Sequence, residues 1–183
     1  RSIGRFVAGH LSDEAGRREC ANGDVYTGEF KHGEASGRGL RRSANGDVYE
    51  GQFAQGMRSG EGRLSSGQSS YEGQWLDDLP HGAGTMVWRT ASGVERKRYS
   101  GQWRHGRRHG LGAQTWADGR CYEGQWADGE QHGAGRMRCG GGGDRAAAAA
   151  GAASAAEGGE EAAGLAWEEF MGEWQHNQQQ GRG

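Results

Sequence analysis

The sequence predicts an all-β chain: an elongated antiparallel meander of seven repeated β-hairpins, forming a single-layer twisted sheet. Three observations predict it. An aromatic-Gly-aromatic core returns five times in strict form, at Tyr26-Thr-Gly28-Glu-Phe30, Tyr49-Glu-Gly51-Gln-Phe53, Tyr71-Glu-Gly73-Gln-Trp75, Tyr99-Ser-Gly101-Gln-Trp103 and Tyr122-Glu-Gly124-Gln-Trp126. Glycines follow each core at constant offsets. Turn dipeptides separate the copies. A period of about 23 residues is the mark of an array in which each unit packs on its neighbours.

Count the first aromatic of each copy as offset zero. Offsets zero, two and four are aromatic, glycine and aromatic, and offsets one and three are polar, as in Tyr71-Glu72-Gly73-Gln74-Trp75. This period-two alternation is a half-buried strand with its rings on one face. The glycine between the rings leaves room for a neighbouring ring to lie across the strand. Offset seven holds Gly9, Gly33, Gly56, Asp78, Gly106, Gly129 and Asn177. Gly, Asn and Asp are the residue types that tolerate positive φ, so a left-handed turn is expected there in every copy. A second strand is expected from offset eleven, at Gly37-Arg-Gly39-Leu-Arg-Arg42, with glycines at offsets eleven and thirteen throughout. Asn22-Gly23, Asn45-Gly46, Ser66-Gly67, Ser92-Gly93 and Asp118-Gly119 then read as hairpin links to the next copy.

Two weaker copies flank these five. Ser2-Ile-Gly4-Arg-Phe6 stands at the start, and Phe170-Met-Gly172-Glu-Trp174 near the end. The last copy stops at offset thirteen with no polar cap, so the chain is expected to be a piece of a longer array. The domain reading is six repeats over 1–139, a low-complexity Gly/Ala/Glu insert over 140–166, and a seventh, truncated repeat over 167–183. The insert holds Gly140 to Gly143, Ala146 to Ala150 and Glu157 to Glu161. Its composition supports no packed core and predicts a disordered loop.

Glycine supplies 38 of 183 residues, proline one, and mean hydropathy is −0.97. A thin sheet suits so small an apolar fraction better than a two-layer globule does. Net charge is −2. Residues 140–183 carry −5, with seven acids against two arginines, and the rest of the chain +3. No run of five or six basic residues marks a nucleic-acid arm, so nucleic acid is not an expected partner. Three cysteines at unrelated spacings, Cys20, Cys121 and Cys139, suggest a reduced, cytoplasmic protein.

The pattern Y-x-G-x-W-x-x-G-x-x-x-G-x-G is nearly complete at Tyr99 to Gly112 and at Tyr122 to Gly135. It resembles the MORN repeat (membrane occupation and recognition nexus), from about residue 2 to 139 and again from about 167. The resemblance implies cytoskeletal, ciliary or junctional scaffolds, membrane association, or a regulatory region of a larger enzyme such as a phosphatidylinositol phosphate kinase or a SET-type methyltransferase.

The rings have two readings. Structurally, Phe6, Phe30, Phe53, Trp75, Trp103, Trp126 and Trp174 at offset four, with the offset-zero tyrosines, are the only core such a sheet has. Functionally, they line a groove that grips a partner's helix or extended peptide. Trp75, Trp103, Trp126, Tyr71, Tyr99 and Tyr122 are then the expected partner-binding residues, each ring still partly exposed. Arg96, Lys97, Arg98, Arg104, Arg107 and Arg108 form the candidate site for an anionic surface, in adjacent loops around one copy. Five histidines are placed in turns, at His32, His81, His105, His109 and His132. His81, His109 and His132 share offset ten, and one repeat is two strands wide, too far for these rings to share a metal, so none is expected. No catalytic constellation is present: no GxSxG, HExxH or GxxxxGK[ST]. The expected function is a non-catalytic repeat scaffold for protein–protein interaction, without cofactor, with phosphoinositide or membrane-surface binding as the alternative.

Overall fold

The computed structural model describes residues 15–140 and 167–180. The first weak copy at Ser2 to Phe6, Gly9, and Gly181 and Gly183 lie outside the described residues, as does the loop expected over 140–166 except for Gly140, which ends a strand instead of beginning the loop.

Among the described residues, thirteen strands follow one another in the order of the chain and pair only with their sequence neighbours. They are β1 (Ala15–Glu19), β2 (Val25–Lys31), β3 (Glu34–Arg42), β4 (Val48–Ala54), β5 (Met57–Ser66), β6 (Ser69–Leu76), β7 (Leu79–Arg89), β8 (Glu95–Arg104), β9 (Arg107–Trp116), β10 (Cys121–Ala127), β11 (Glu130–Gly140), β12 (Trp167–Gln175) and β13 (Gln178–Gln180). Every pairing is antiparallel, and β1 does not meet β13, so the sheet is an open meander. The pairing continues across the insert, where Gly140 stands opposite Trp167.

The turn inside each repeat is tighter than its glycine alone implies. Offset seven is left-handed in all six described copies, with φ from 62° at Asn177 to 93° at Gly129. Offset six is left-handed as well, at His32, Gln55, Asp77, His105, Asp128 and His176, with φ of 46–51°. Two successive positive-φ residues make a type I′ turn, whose twist matches that of the strands it joins. The second strand therefore starts at offset eight, at Glu34, Met57, Leu79, Arg107 and Glu130, three residues earlier than the glycine pattern indicates. His81, His109 and His132 consequently lie in strands β7, β9 and β11, not in turns.

The offset-eleven glycine is a bulge inside that strand. Pairing between the two strands of a repeat shifts between Gly51 and Phe53, and at the same place in the other four strict copies. Gly82, for example, sits at φ 63°, and a Cβ there would fall 1.9 Å from Gln74 Oε1. The offset-three side chain occupies that space for a reason. The backbone N–H freed by the bulge donates to it: Ala83 N to Gln74 Oε1 at 3.0 Å, Glu61 N to Gln52 at 2.8 Å, Leu111 N to Gln102 at 3.0 Å and Ala134 N to Gln125 at 3.1 Å. Glu29 serves Arg38 N in the first strict copy. A bulge leaves ladder groups unpaired, and here one side chain per repeat restores the partner.

Candidate functional site

All core rings lie on one face of the sheet. Each tyrosine packs edge-on against the aromatic of its own repeat and that of the next: Tyr49 against Phe53 and Trp75, Tyr71 against Trp75 and Trp103, Tyr99 against Trp103 and Trp126. Centroids stand 4.9–5.8 Å apart with planes at 80–89° along the whole row from Tyr26 to Trp174. Edge-to-face packing places the positive rim of one ring on the negative face of the next.

Glycine makes the row possible. The tyrosine ring bends over the glycine pair of its own repeat, so that a Cβ on Gly62 would stand 2.2 Å from Tyr49 Oη. The hydroxyl then reaches the offset-three carbonyl, with Tyr49 Oη donating to Gln52 O and Tyr71 Oη to Gln74 O, both at 2.9 Å. Burial pushes the phenols up: Tyr49 and Tyr122 to about 12, Tyr71 and Tyr99 further. Three of the four offset-four tryptophans add a bond that Phe cannot make, the Trp174 indole N–H being left without a partner among the described residues. Trp75 Nε1 donates to Gly62 O, Trp103 to Gly84 O and Trp126 to Gly112 O, at 3.0–3.1 Å.

The six residues expected to contact a partner are therefore sealed. Tyr71, Tyr99 and Tyr122 are 0–1 % exposed, and Trp75, Trp103 and Trp126 are 3–7 % exposed. The expected open aromatic groove gives way to a filled one, because adjacent repeats close over each ring and, at four of the offset-four rings, arginine lies over what remains. Arg18 lies over Phe30 at 4.9 Å, Arg41 over Phe53 at 5.0 Å, Arg58 over Trp75 at 4.3 Å and Arg108 over Trp126 at 4.3 Å. Each of these guanidiniums also donates to the offset-seven carbonyl of the ring's repeat: Gly33, Gly56, Asp78 and Gly129 respectively. That carbonyl belongs to the left-handed turn, so the turn aims it at the arginine.

The arginine lids differ in charge balance. Arg58 is held by the Asp78 carboxylate at 2.9 Å, and Arg41 stands 4.0 Å from the same group. Arg108 occupies the place equivalent to Arg58, but Gly129 stands where Asp78 would be. Arg108 donates instead to Gln114 Oε1, itself buried, and makes no salt bridge among the described residues.

Next to Arg108 lies a group of side chains that the repeat pattern did not single out. Lys97 faces Trp88 on one side and Trp116 on the other in cross-strand register, and both rings pack on the core. Its Nζ is 4.1 Å from the Trp88 centroid. Burial pushes Lys97 below its ordinary value, and the charged groups acting on it, Arg108 and Arg96, are cations that push the same way. Burial likewise lowers Arg108. Met86-x-Trp88 and Gln114-x-Trp116 carry the period-two spacing that would have marked these positions as continuing the aromatic face.

The six predicted basic residues do not form one patch. They sit in strands β8 and β9, not in loops. Lys97 and Arg108 are on the aromatic face. Arg98 is held by Glu95 through two bonds of 3.0 and 2.7 Å and lines a cavity of about 450 Å³ with Arg63, Glu72, Val87 and Arg89. Arg96, Arg104 and Arg107 are exposed. Period-two alternation divides consecutive basic residues between opposite faces. Among the described residues no helix is long and apolar enough to cross a membrane, and no group of three or more His, Cys, Asp or Glu side chains could hold a metal.

A family model described as MORN repeat matches residues 26–48, 49–69, 71–91, 99–119, 122–144 and 170–183. No curated protein matches the chain.

Proposed function

The chain belongs to the MORN-repeat family, and from that premise we propose that it is a non-catalytic repeat scaffold that holds another protein along its aromatic face. The observation that carries this reading is the constancy of that face. The same ring, glycine and turn recur in register from β2 to β12, and a guanidinium lies over four of the offset-four rings. An elongated partner can read such a surface at several successive repeats, and several weak contacts then act together. The buried rings set the spacing, and the covering arginines and flanking side chains supply the contacts.

The test is footprinting with a guanidine-specific reagent on the chain alone and with a captured, purified partner. Protection of Arg41, Arg58 and Arg108 in the complex is the expected result. A partner that leaves all three as reactive as in the free chain, or cosedimentation with anionic vesicles and with no protein, overturns the reading.

A further inference from the structure

We propose that Lys97 and Arg108, with Trp88 and Trp116, form a site for an acidic linear segment of a partner protein, a carboxylate meeting the two cations while an adjacent apolar side chain lies against the indoles. This rests on the scaffold reading and names the chemistry of what is held.

The argument is a comparison inside one molecule. Arg58 and Arg108 are repeat-equivalent residues, each 4.3 Å over a tryptophan and each donating to an offset-seven carbonyl. In the first case the array supplies the counter-ion, Asp78, and in the second it supplies Gly129 and none. The uncompensated charge is doubled by Lys97. Its neighbours Trp88 and Trp116 restrict solvent on two sides, and neither cation has a salt-bridge partner among the described residues. Arg108 donates to Gln114, which stands opposite Tyr99, and Lys97 lies two residues before Tyr99 on the same face. The two half-buried cations therefore occupy neighbouring places there, and an incoming anion relieves the desolvation cost each carries. Gln114 is 3 % exposed and ties Arg108 in place, so the cation is already oriented.

The same geometry favours a peptide over a lipid surface. A headgroup layer is met by exposed, coplanar basic residues. Here Lys97 is recessed between Trp88 and Trp116 and Arg108 lies over Trp126, neither in a salt bridge among the described residues, and Arg98 is turned away and paired with Glu95. A single extended chain presents a carboxylate and an apolar side chain at the spacing of neighbouring strands, which a bilayer surface does not.

The experiment uses the whole 183-residue chain and a fluorescein-labelled, end-blocked peptide of alternating Glu and Leu, measured by anisotropy beside the same peptide with Gln for Glu. Binding of the Glu peptide that weakens with salt, and is lost in the Gln peptide, is expected. Lys97→Met keeps the aliphatic stem against Trp88 and removes the charge. It should weaken binding roughly tenfold or more, and Lys97→Arg should restore most of it. Gly129→Asp recreates the Asp78 carboxylate, a Cβ there meeting nothing within 4 Å. At φ 93° it lowers the melt, so Gly129→Ala, with the same backbone cost and no charge, is measured beside it, and only the Asp variant should weaken binding. Equal binding of the two peptides, or indifference to Lys97→Met and Gly129→Asp, overturns the proposal. So does binding to phosphatidylserine vesicles with none to the peptide. If the chain takes up peptide only after Glu157, Glu160 and Glu161 are changed to Gln, its own acidic stretch is the occupant and the partner proposal falls. A protein partner that protects the arginine lids yet ignores Lys97→Met leaves the scaffold reading standing and this one refuted.

Discussion

A Cβ built on Gly62 would stand 2.2 Å from the hydroxyl oxygen and 2.5 Å from Cζ of Tyr49. The same relationship holds between Tyr71 and Gly84, Tyr99 and Gly112, and Tyr122 and Gly135, at 2.2–2.4 Å from the hydroxyl. The ring has nowhere to go, because Phe53 and Trp75 pack on it edge-on. Gly62→Ala or Gly84→Ala should therefore lower stability by about 2–3 kcal/mol, as in an overpacked core. Gly56→Ala meets nothing within 4 Å and carries only the cost of its φ of 78°, roughly 1–2 kcal/mol. Urea melts of the variants side by side check the ranking. Equal losses would mean that backbone conformation, and not the ring, makes the repeat glycines necessary.

The tyrosine hydroxyls give a second expectation, in pH. All five tyrosines of the chain lie in the core row, and burial raises each above its ordinary value. The fold binds the phenolic proton more tightly than the unfolded chain does. Stability from this source is fully present below about pH 10 and is lost as pH rises toward and through about 12. Tyrosinate absorbance should stay low past pH 10 and then appear together with loss of the β-sheet signal. Ionisation of tyrosines near 10 in a chain that remains folded would contradict their burial.

Deleting one hydroxyl separates the bond from the ring. Tyr71→Phe keeps the edge contacts with Trp75 and Trp103 and removes the 2.9 Å bond to Gln74 O. The loss should be about 1 kcal/mol. Tyr71→Ala removes the ring as well and should lose about 3–5 kcal/mol. Both values come from denaturant unfolding followed by tryptophan fluorescence.

Asp78 offers a way to separate charge from backbone. It sits at φ 65° and pairs with Arg58 while both side chains remain partly exposed, at 39 % and 23 %. Asp78→Gly keeps the turn and removes both the ion pair and the acceptor of the Arg58 backbone N–H at 2.9 Å, and should cost about 1 kcal/mol. Asp78→Ala also strains the turn and should cost about 1–2 kcal/mol more. A large loss in the glycine variant would show that the carboxylate stabilises the Arg58 lid more strongly than a half-exposed pair normally does.

The glutamines at offset three carry the fifth expectation. Gln102→Ala leaves the Leu111 N–H of the bulge without its 3.0 Å partner. Water reaches this side of the sheet, so the loss should be modest, about 1 kcal/mol. The Leu111 amide should exchange hydrogen faster in the variant, with amides of β4 and β5 unchanged. Uniform acceleration along the array would mean that the repeats unfold as a single unit.

Much of this architecture was legible before any coordinate. The aromatic-Gly-aromatic alternation gave the strand and its face, and Asp78 and Asn177 among glycines gave the left-handed turn. Less legible was anything that depends on which strand lies opposite. Gly37 and Gly60 read as the start of a strand because glycine at positive φ marks both an edge and a bulge. Gln74 and Gln102 read as solvent-facing polar residues, since nothing local says that an amide nine residues away needs them. Lys97 read as one of three consecutive basic residues, although alternation parts it from Arg96 and Arg98.

The order of the strands, their hairpin pairing and the one-sided row of rings follow from the sequence by itself, because periodicity is a local property that any run of residues displays. Only the tertiary structure decided how exposed those rings are and which charges are left without a partner. Exposure depends on the repeats before and after, which close over Tyr71 and Tyr99 until no more than 1 % of either is accessible. Charge balance depends on contacts between repeats, which place Asp78 beside Arg58 and only Gly129 beside Arg108.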